Sequence, residues 1–160
     1  MAEIEHFVDP QDKSHPKFCN VADIELPLWS APAQENNERD PVMIKIGEAV
    51  ASGIVGNQTV GYFVARTFLF LTSLGVKAEA IRFRQHRSNE MAHYANDCWD
   101  AEVQTSYGWI EIAGHADRSA FDLTKHMGKT KVELMAGRRL PEPITVTSTI
   151  ATLNKKIVGK

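Results

Sequence analysis

Cysteine is scarce in this chain. Only Cys19 and Cys98 occur, in no Cys-x-x-Cys pair, which excludes a disulfide framework and a zinc knuckle and leaves both to be read as buried free thiols. Long apolar runs are missing too: none approaches the roughly eighteen residues of a membrane span, and no membrane association is expected. The opening Met1-Ala2-Glu3-Ile4-Glu5-His6 is acidic where a secretory signal begins basic. A cytosolic address is the expectation, with mitochondrial use left open. There is no glycine-rich phosphate loop, no Gly-x-Ser-x-Gly and no repeat at a fixed period. A Walker-type site, a dinucleotide fold, a serine-hydrolase elbow and a solenoid are thereby disfavoured.

What is present suits one globular domain: 43% apolar and 24% charged residues over 160 positions. The net charge of −2 conceals an asymmetry, with nine acidic and three basic residues in 1–40 but eight basic and two acidic residues in 125–160. The basic end is read either as a solvated surface or as a place for a phosphate backbone, where counterion release rewards clustered Lys and Arg.

Along the chain, Ala2 to Val8 alternates small or apolar with charged residues before Asp9-Pro10, the period of a strand. Pro27, Pro32 and Pro41 with the polar run Gln34 to Asp40 predict a loop over 27–41. Ile44 to Val55 has helical spacing. Thr59 to Leu74 sets Val60, Phe63, Val64, Thr67, Phe68, Leu71 and Leu74 on one face, with Gly75 as a stop, and predicts the best-defined helix. Ala80 to Gln85, Ala92 to Val103 and Trp109 to Ala113 read as extended, and Phe121 to Met127 as helix. Strands and helices mix without strict alternation, which favours an α+β domain with an antiparallel sheet.

Three groups mix carboxylates with apolar neighbours, as a sheet-lined site does: Glu3 with Glu5, the blocks Arg82 to His86 and Asn89 to Asp100, and Trp109 to Arg118. Glu111 stands out. Lying between Ile110 and Ile112, it points away from both and needs water, an ion-pair partner or a cation such as Mg²⁺. Glu3 invites the same comparison. His86 and His93 match no zinc spacing and read as structural. Asp117-Arg118 reads as an ion pair ending a strand, and Asp122 as a charge favourable to the following helix. Cys98 has no evident thiolate-stabilising partner, though His93 or His115 could approach it.

At these same residues a resemblance emerges. Met1 to Pro10 with His15-Pro16-Lys17-Phe18 is similar to the closing strand of the second class II motif of glycyl-tRNA synthetases of the eukaryotic and archaeal type. Arg82 to His86, Glu90 to Asp100 and Tyr107 to Leu123 resemble further segments of that family in the same order. The resemblance runs from residue 1 to about 140, is loose over 27–43 and fades after Pro141. It implies a partial class II catalytic domain over 1–140, with a helical insertion at 44–75 and a basic, poorly matched segment at 141–160. It implies activation of glycine by ATP with Mg²⁺, then transfer to tRNA-Gly. Glu3 would bind the glycine ammonium, Glu111 and Ile112 would bind ATP, and Glu111 would hold Mg²⁺. Glu90, Asp97, Asp117 and Arg118 would wall or support the pocket. The family's dimer-forming first motif, its second-motif arginine and its third motif have no counterpart here. An isolated chain without amino-acid activation is therefore expected, and a non-catalytic RNA-binding or regulatory derivative is the alternative.

Overall fold

The computed structural model describes residues 2–137, 139 and 142–150. Its centre is a five-stranded sheet in the order β2-β1-β3-β4-β5. The strands are β1 (Glu25–Trp29), β2 (Val42–Lys45), β3 (Ile81–Gln85), β4 (Asp97–Thr105) and β5 (Gly108–Asp117), and the helices are α1 (Ala31–Glu35), α2 (Ile46–Ala51), α3 (Gln58–Ser73) and α4 (Phe121–Thr130). The α+β expectation holds, with one amendment. All strand pairs are antiparallel except β1 with β3, which run parallel through Leu28↔Phe83 and Trp29↔Arg84.

Alternation on β3 and β4 separates two faces. Ile81, Phe83, Trp99 and Ala101 turn inward with Leu26, Leu28 and Ile46, all at most 3% exposed, and meet Val60, Val64 and Leu71 of α3. Each large side chain buried this way contributes about 1.5–3 kcal/mol. The α3 helix forms because its apolar residues recur at three and four and because the Asn57 side chain accepts a hydrogen bond from the Val60 N–H (3.0 Å). Gly61 lets α2 and α3 close together: a Cβ there would lie 2.9 Å from Val50 Cγ2 and 3.2 Å from Phe18 Cε2. The β4–β5 hairpin turns at Ser106-Tyr107 and continues through Gly108 at φ +102°, where glycine has no Cβ penalty.

Several expectations are corrected. Residues 2–8 form no strand and are exposed throughout, because alternation makes a strand only where a neighbour supplies the ladder. The segment lies instead with His6 against Phe63 (ring centroids 5.3 Å apart) and His15 (5.8 Å). The loop expected over 27–41 contains the end of β1 and all of α1. Pro27 sits inside β1, opposite Met43, and Pro32 occupies the first turn of α1, where a missing N–H does no harm. Ile44 and Lys45 belong to β2, so the helix begins only at Ile46. Residues 92–96 are turn rather than strand. Cys19 is exposed, since its turn points Phe18 and Val21 inward and the thiol outward, and Cys98 is half-buried. Asp117 and Arg118 do not pair: Asp117 meets Lys13 Nζ at 2.6 Å, and Arg118 meets Asp122 at 2.8 Å across the start of α4. Of the basic end, Arg138, Lys155, Lys156 and Lys160 lie outside the described residues.

Candidate functional site

The residues that alternate with the core side chains carry charge. Arg82 and Arg84 on β3, Asp100 and Glu102 on β4, and Glu111 on β5 fall on the face opposite α3. Arg84 is the hub: Nε donates to Glu102 (3.2 Å), Nη1 to Glu90 (2.9 Å) and Nη2 to Asp100 (3.0 Å). Arg82 Nε donates to the other Glu102 oxygen at 2.6 Å. Its guanidinium is held between the rings of Trp29 (4.6 Å) and Trp109 (4.2 Å). His86 Nε2 bonds the Asp100 oxygen at 2.8 Å. Asp100 is the most enclosed member, with its side chain 4% exposed.

Electrostatics follow from this packing. The Arg87 guanidinium and backbone, then Arg84, hold the Glu90 carboxyl down at about 2. Burial opposes the charge on Arg84, yet Glu90, Asp100 and Glu102 keep its pKa above the usual value. The Cys98 thiol is pushed up to about 11, first by burial and then by the Asp100, Asp97 and Glu111 carboxylates. Glu90, Asp100, Glu102 and Glu111 together face Arg82, Arg84 and Arg87, so among these seven groups there is an excess of one negative charge.

Among the described residues Glu111 has no hydrogen bond or ion pair. A register shift at Ala101/Glu102 opposes Glu102 to Glu111 and Ala101 to Ala113, which leaves Ile112 as the extra residue. Gly114 then leaves a gap between two carboxylates: a Cβ there would stand 3.7 Å from Glu111 Oε1 and 3.8 Å from Asp100 Oδ1. A carboxylate without a cation beside a second carboxylate is a donor set suited to a hard divalent ion.

The other expected residues divide between faces. Glu90 joins Glu111's face through Arg84. Asp97 sits on the packed face and accepts from Gly56 N–H (2.8 Å), Gln85 Nε2 (2.9 Å) and Trp99 Nε1 (3.1 Å), so it ties the frame together. Asp117 does likewise for Lys13 and Asn57: burial raises its pKa, but these partners and the Ser119 N–H bring it below the usual range. Arg118 lies over Tyr94 at 4.6 Å. Glu3 is exposed and makes no hydrogen bond or ion pair among the described residues, and its neighbour His6 rests on α3, on the other side of the sheet from Glu111. No hydrogen bond or ion pair among the described residues joins Glu3 to the network around Glu111. His93 packs on Tyr94 and Phe121 as a structural residue. Arg82, Arg84 and Asp100 were legible only as members of a block, and Glu102 lay outside every block singled out. Alternating charge on paired strands is the signal that would have singled them out.

No family model matches the chain. Individual relatives do. Glycine–tRNA ligase 1, mitochondrial, of Saccharomyces cerevisiae is 55% identical over 159 residues, 99% of this chain. The glycine–tRNA ligases of Drosophila melanogaster and Caenorhabditis elegans are 54% and 52% identical across 100% of it. The chain matches a segment of glycine–tRNA ligases along its whole length. It spans 23% of the yeast relative's length and 21% of the other two. Arg84, Asp100 and Glu102 are thus the charged heart of a segment shared with glycine–tRNA ligases. Among the described residues no helix is long and apolar enough to cross a membrane.

Proposed function

We propose that the chain supplies the charged sheet face of a glycine–tRNA ligase active site. In this reading glycine's carboxylate attacks the α-phosphate of ATP, releasing pyrophosphate and forming glycyl-adenylate. The glycyl group then passes to the terminal ribose of tRNA-Gly. No protein nucleophile takes part, so catalysis rests on alignment and on charge. Glu111 would hold Mg²⁺, the Ile112 backbone would meet the nucleotide, and Glu3 would meet the glycine ammonium. Mg²⁺ supplies charge neutralisation at the phosphates. The bulge at Ile112 supports this assignment by opening the strand edge beside Glu111. Glu90 fixes Arg84 from outside the pocket, while Asp97, Asp117 and Arg118 brace the frame. Glu3's role rests on the family resemblance alone.

The observation that carries the reading is an unpaired carboxylate on a charged face within a segment 55% identical to a glycine–tRNA ligase. We place the activity in the cytosol, with mitochondrial use as the alternative because the yeast relative is named mitochondrial. Partners are glycine, ATP and tRNA-Gly, and a homodimer at full family length.

A segment exchange tests it. This chain replaces the matching 159 residues of the yeast enzyme, and glycine-dependent ATP–pyrophosphate exchange is measured. Exchange is expected from the chimera and not from the isolated chain. Glu111→Gln should remove about 10²-fold or more of the chimera's rate. A folded chimera without exchange, or one indifferent to Glu111→Gln, refutes the reading.

A further inference from the structure

The charged face also holds a trio in which the proposed ligase chemistry leaves His86 and Cys98 unused. His86 follows β3 directly, and its backbone N–H donates to the Cys98 carbonyl at 2.9 Å, which sets the two residues side by side. Cys98 and Asp100, two apart on β4, share one face. One donor atom from each of His86, Cys98 and Asp100 therefore lies within 4.8 Å of the others. We infer that these three residues form a binding site for a borderline divalent cation of the zinc class, with water as a fourth ligand.

The donor set argues for this class. Zinc accepts thiolate, imidazole and carboxylate together, whereas Mg²⁺ and Ca²⁺ take oxygen. Metal–ligand bonds of about 2.0–2.3 Å in a tetrahedron separate the donors by roughly 3.3–3.8 Å. From the present spread, 2.8 Å between His86 and Asp100 and at most 4.8 Å within the trio, side-chain rotations of about an ångström reach that geometry. The surroundings favour a cation as well, through the excess negative charge and the proximity of Glu111.

Arg84 donates to Asp100 and orients its carboxylate, the outer partner that ligating groups in such sites usually have. The trio is enclosed below by Asp100, whose side chain is 4% exposed, and reachable past His86, at 24%. That is the shape of a site with three protein ligands and a water. Coordination breaks the Cys98 Sγ–H bond and sends that proton to solvent, the His86 Nε2–H bond to Asp100 gives way as the ring proton moves to Nδ1, and no redox change is involved. Cys19 provides an internal contrast, because it is exposed and among the described residues its thiol meets only Asn20.

The test uses the full chain and Zn²⁺ alone, with a chromophoric chelator as competitor. One equivalent should bind. Alkylation of Cys98, read by mass spectrometry, should slow about tenfold or more while Cys19 reacts as before. Co²⁺ should give a thiolate-to-cobalt charge-transfer band that Cys98→Ser abolishes. Cys98→Ser and His86→Gln should each weaken Zn²⁺ about tenfold or more, and Cys19→Ser should not. Should either variant fail to fold, differential alkylation and the cobalt spectrum of the unaltered chain decide. Absence of stoichiometric zinc, equal protection of both cysteines, or equal protection by Mg²⁺ overturns the proposal. The chimera's exchange activity is read separately, so failure here leaves the ligase reading standing.

Discussion

Replacing Arg84 with Met removes the charge that joins three carboxylates while keeping most of the side-chain volume. The consequences differ among the three. Glu102 keeps Arg82 at 2.6 Å and Glu90 keeps Arg87 at 2.8 Å, but Asp100 is left with His86 alone. Asp100's side chain is 4% exposed, so water cannot replace the guanidinium there. Breaking a buried pair by removing one partner costs about 3–5 kcal/mol. With His86 retained and Arg84 itself 22% exposed, the lower end applies, about 3 kcal/mol. Urea denaturation followed by tryptophan fluorescence should show the midpoint falling by more than about 1 M. Adding Asp100→Asn should recover part of the loss, with a coupling of at least about 1 kcal/mol between the sites. Arg87→Ala is the control: its pair with Glu90 is exposed, 42% and 30%, and should cost about 0–1 kcal/mol. If Arg84→Met costs no more than Arg87→Ala, or the double variant is additive, Arg84 is not the hub.

Asp97→Ala leaves the Gly56 N–H and Trp99 Nε1 on the packed face without an acceptor, while Gln85 Nε2 keeps only the Ile54 carbonyl at 3.3 Å, and should cost about 3 kcal/mol in urea. His115 donates from Nδ1 to the Trp99 carbonyl (3.1 Å) and accepts at Nε2 from the Thr67 hydroxyl (2.7 Å). Burial lowers its pKa despite the opposing pull of Trp99 and Asp100. The unfolded chain therefore takes the proton first, so this contribution to stability is complete above about pH 6.5 and declines as the pH falls through the lowered value. Thermal melts from pH 8 to 5 should show that slope flattened in Phe-substituted His115. Gly114→Ala meets only ordinary contacts at 3.7 and 3.8 Å. It should leave stability within about 1 kcal/mol while lowering the chimera's exchange rate, because the methyl fills the gap between Glu111 and Asp100.

The helix at α3 was legible because one face must satisfy a single period over sixteen residues. So was β3, whose alternation survives in its burial, whereas β5 was read as extended only over 109–113 and runs on to Asp117. The prolines misled at 27–41. Pro27 needs no N–H where its antiparallel neighbour is on β2 and the parallel contact with β3 begins only at Leu28. At residues 2–8 the right period lacked the one thing a pattern cannot encode, a hydrogen-bonded neighbour. Glu111 was readable from its flanking isoleucines, although the bulge at Ile112 was not. The Arg84 network was hidden because it joins residues 6, 16 and 18 positions apart. A pattern read along one strand cannot show which charges on the next strand lie opposite.

A crystal structure of the active chimera with a non-hydrolysable glycyl-adenylate analogue and Mg²⁺ bears most directly on the charged face as the active surface. Ligand density is expected over β3, β4 and β5, with Glu111 at the metal and the Gly114 gap facing the ligand. Density on the α3 side of the sheet, or a ligand that leaves Glu111 in solvent, would contradict it.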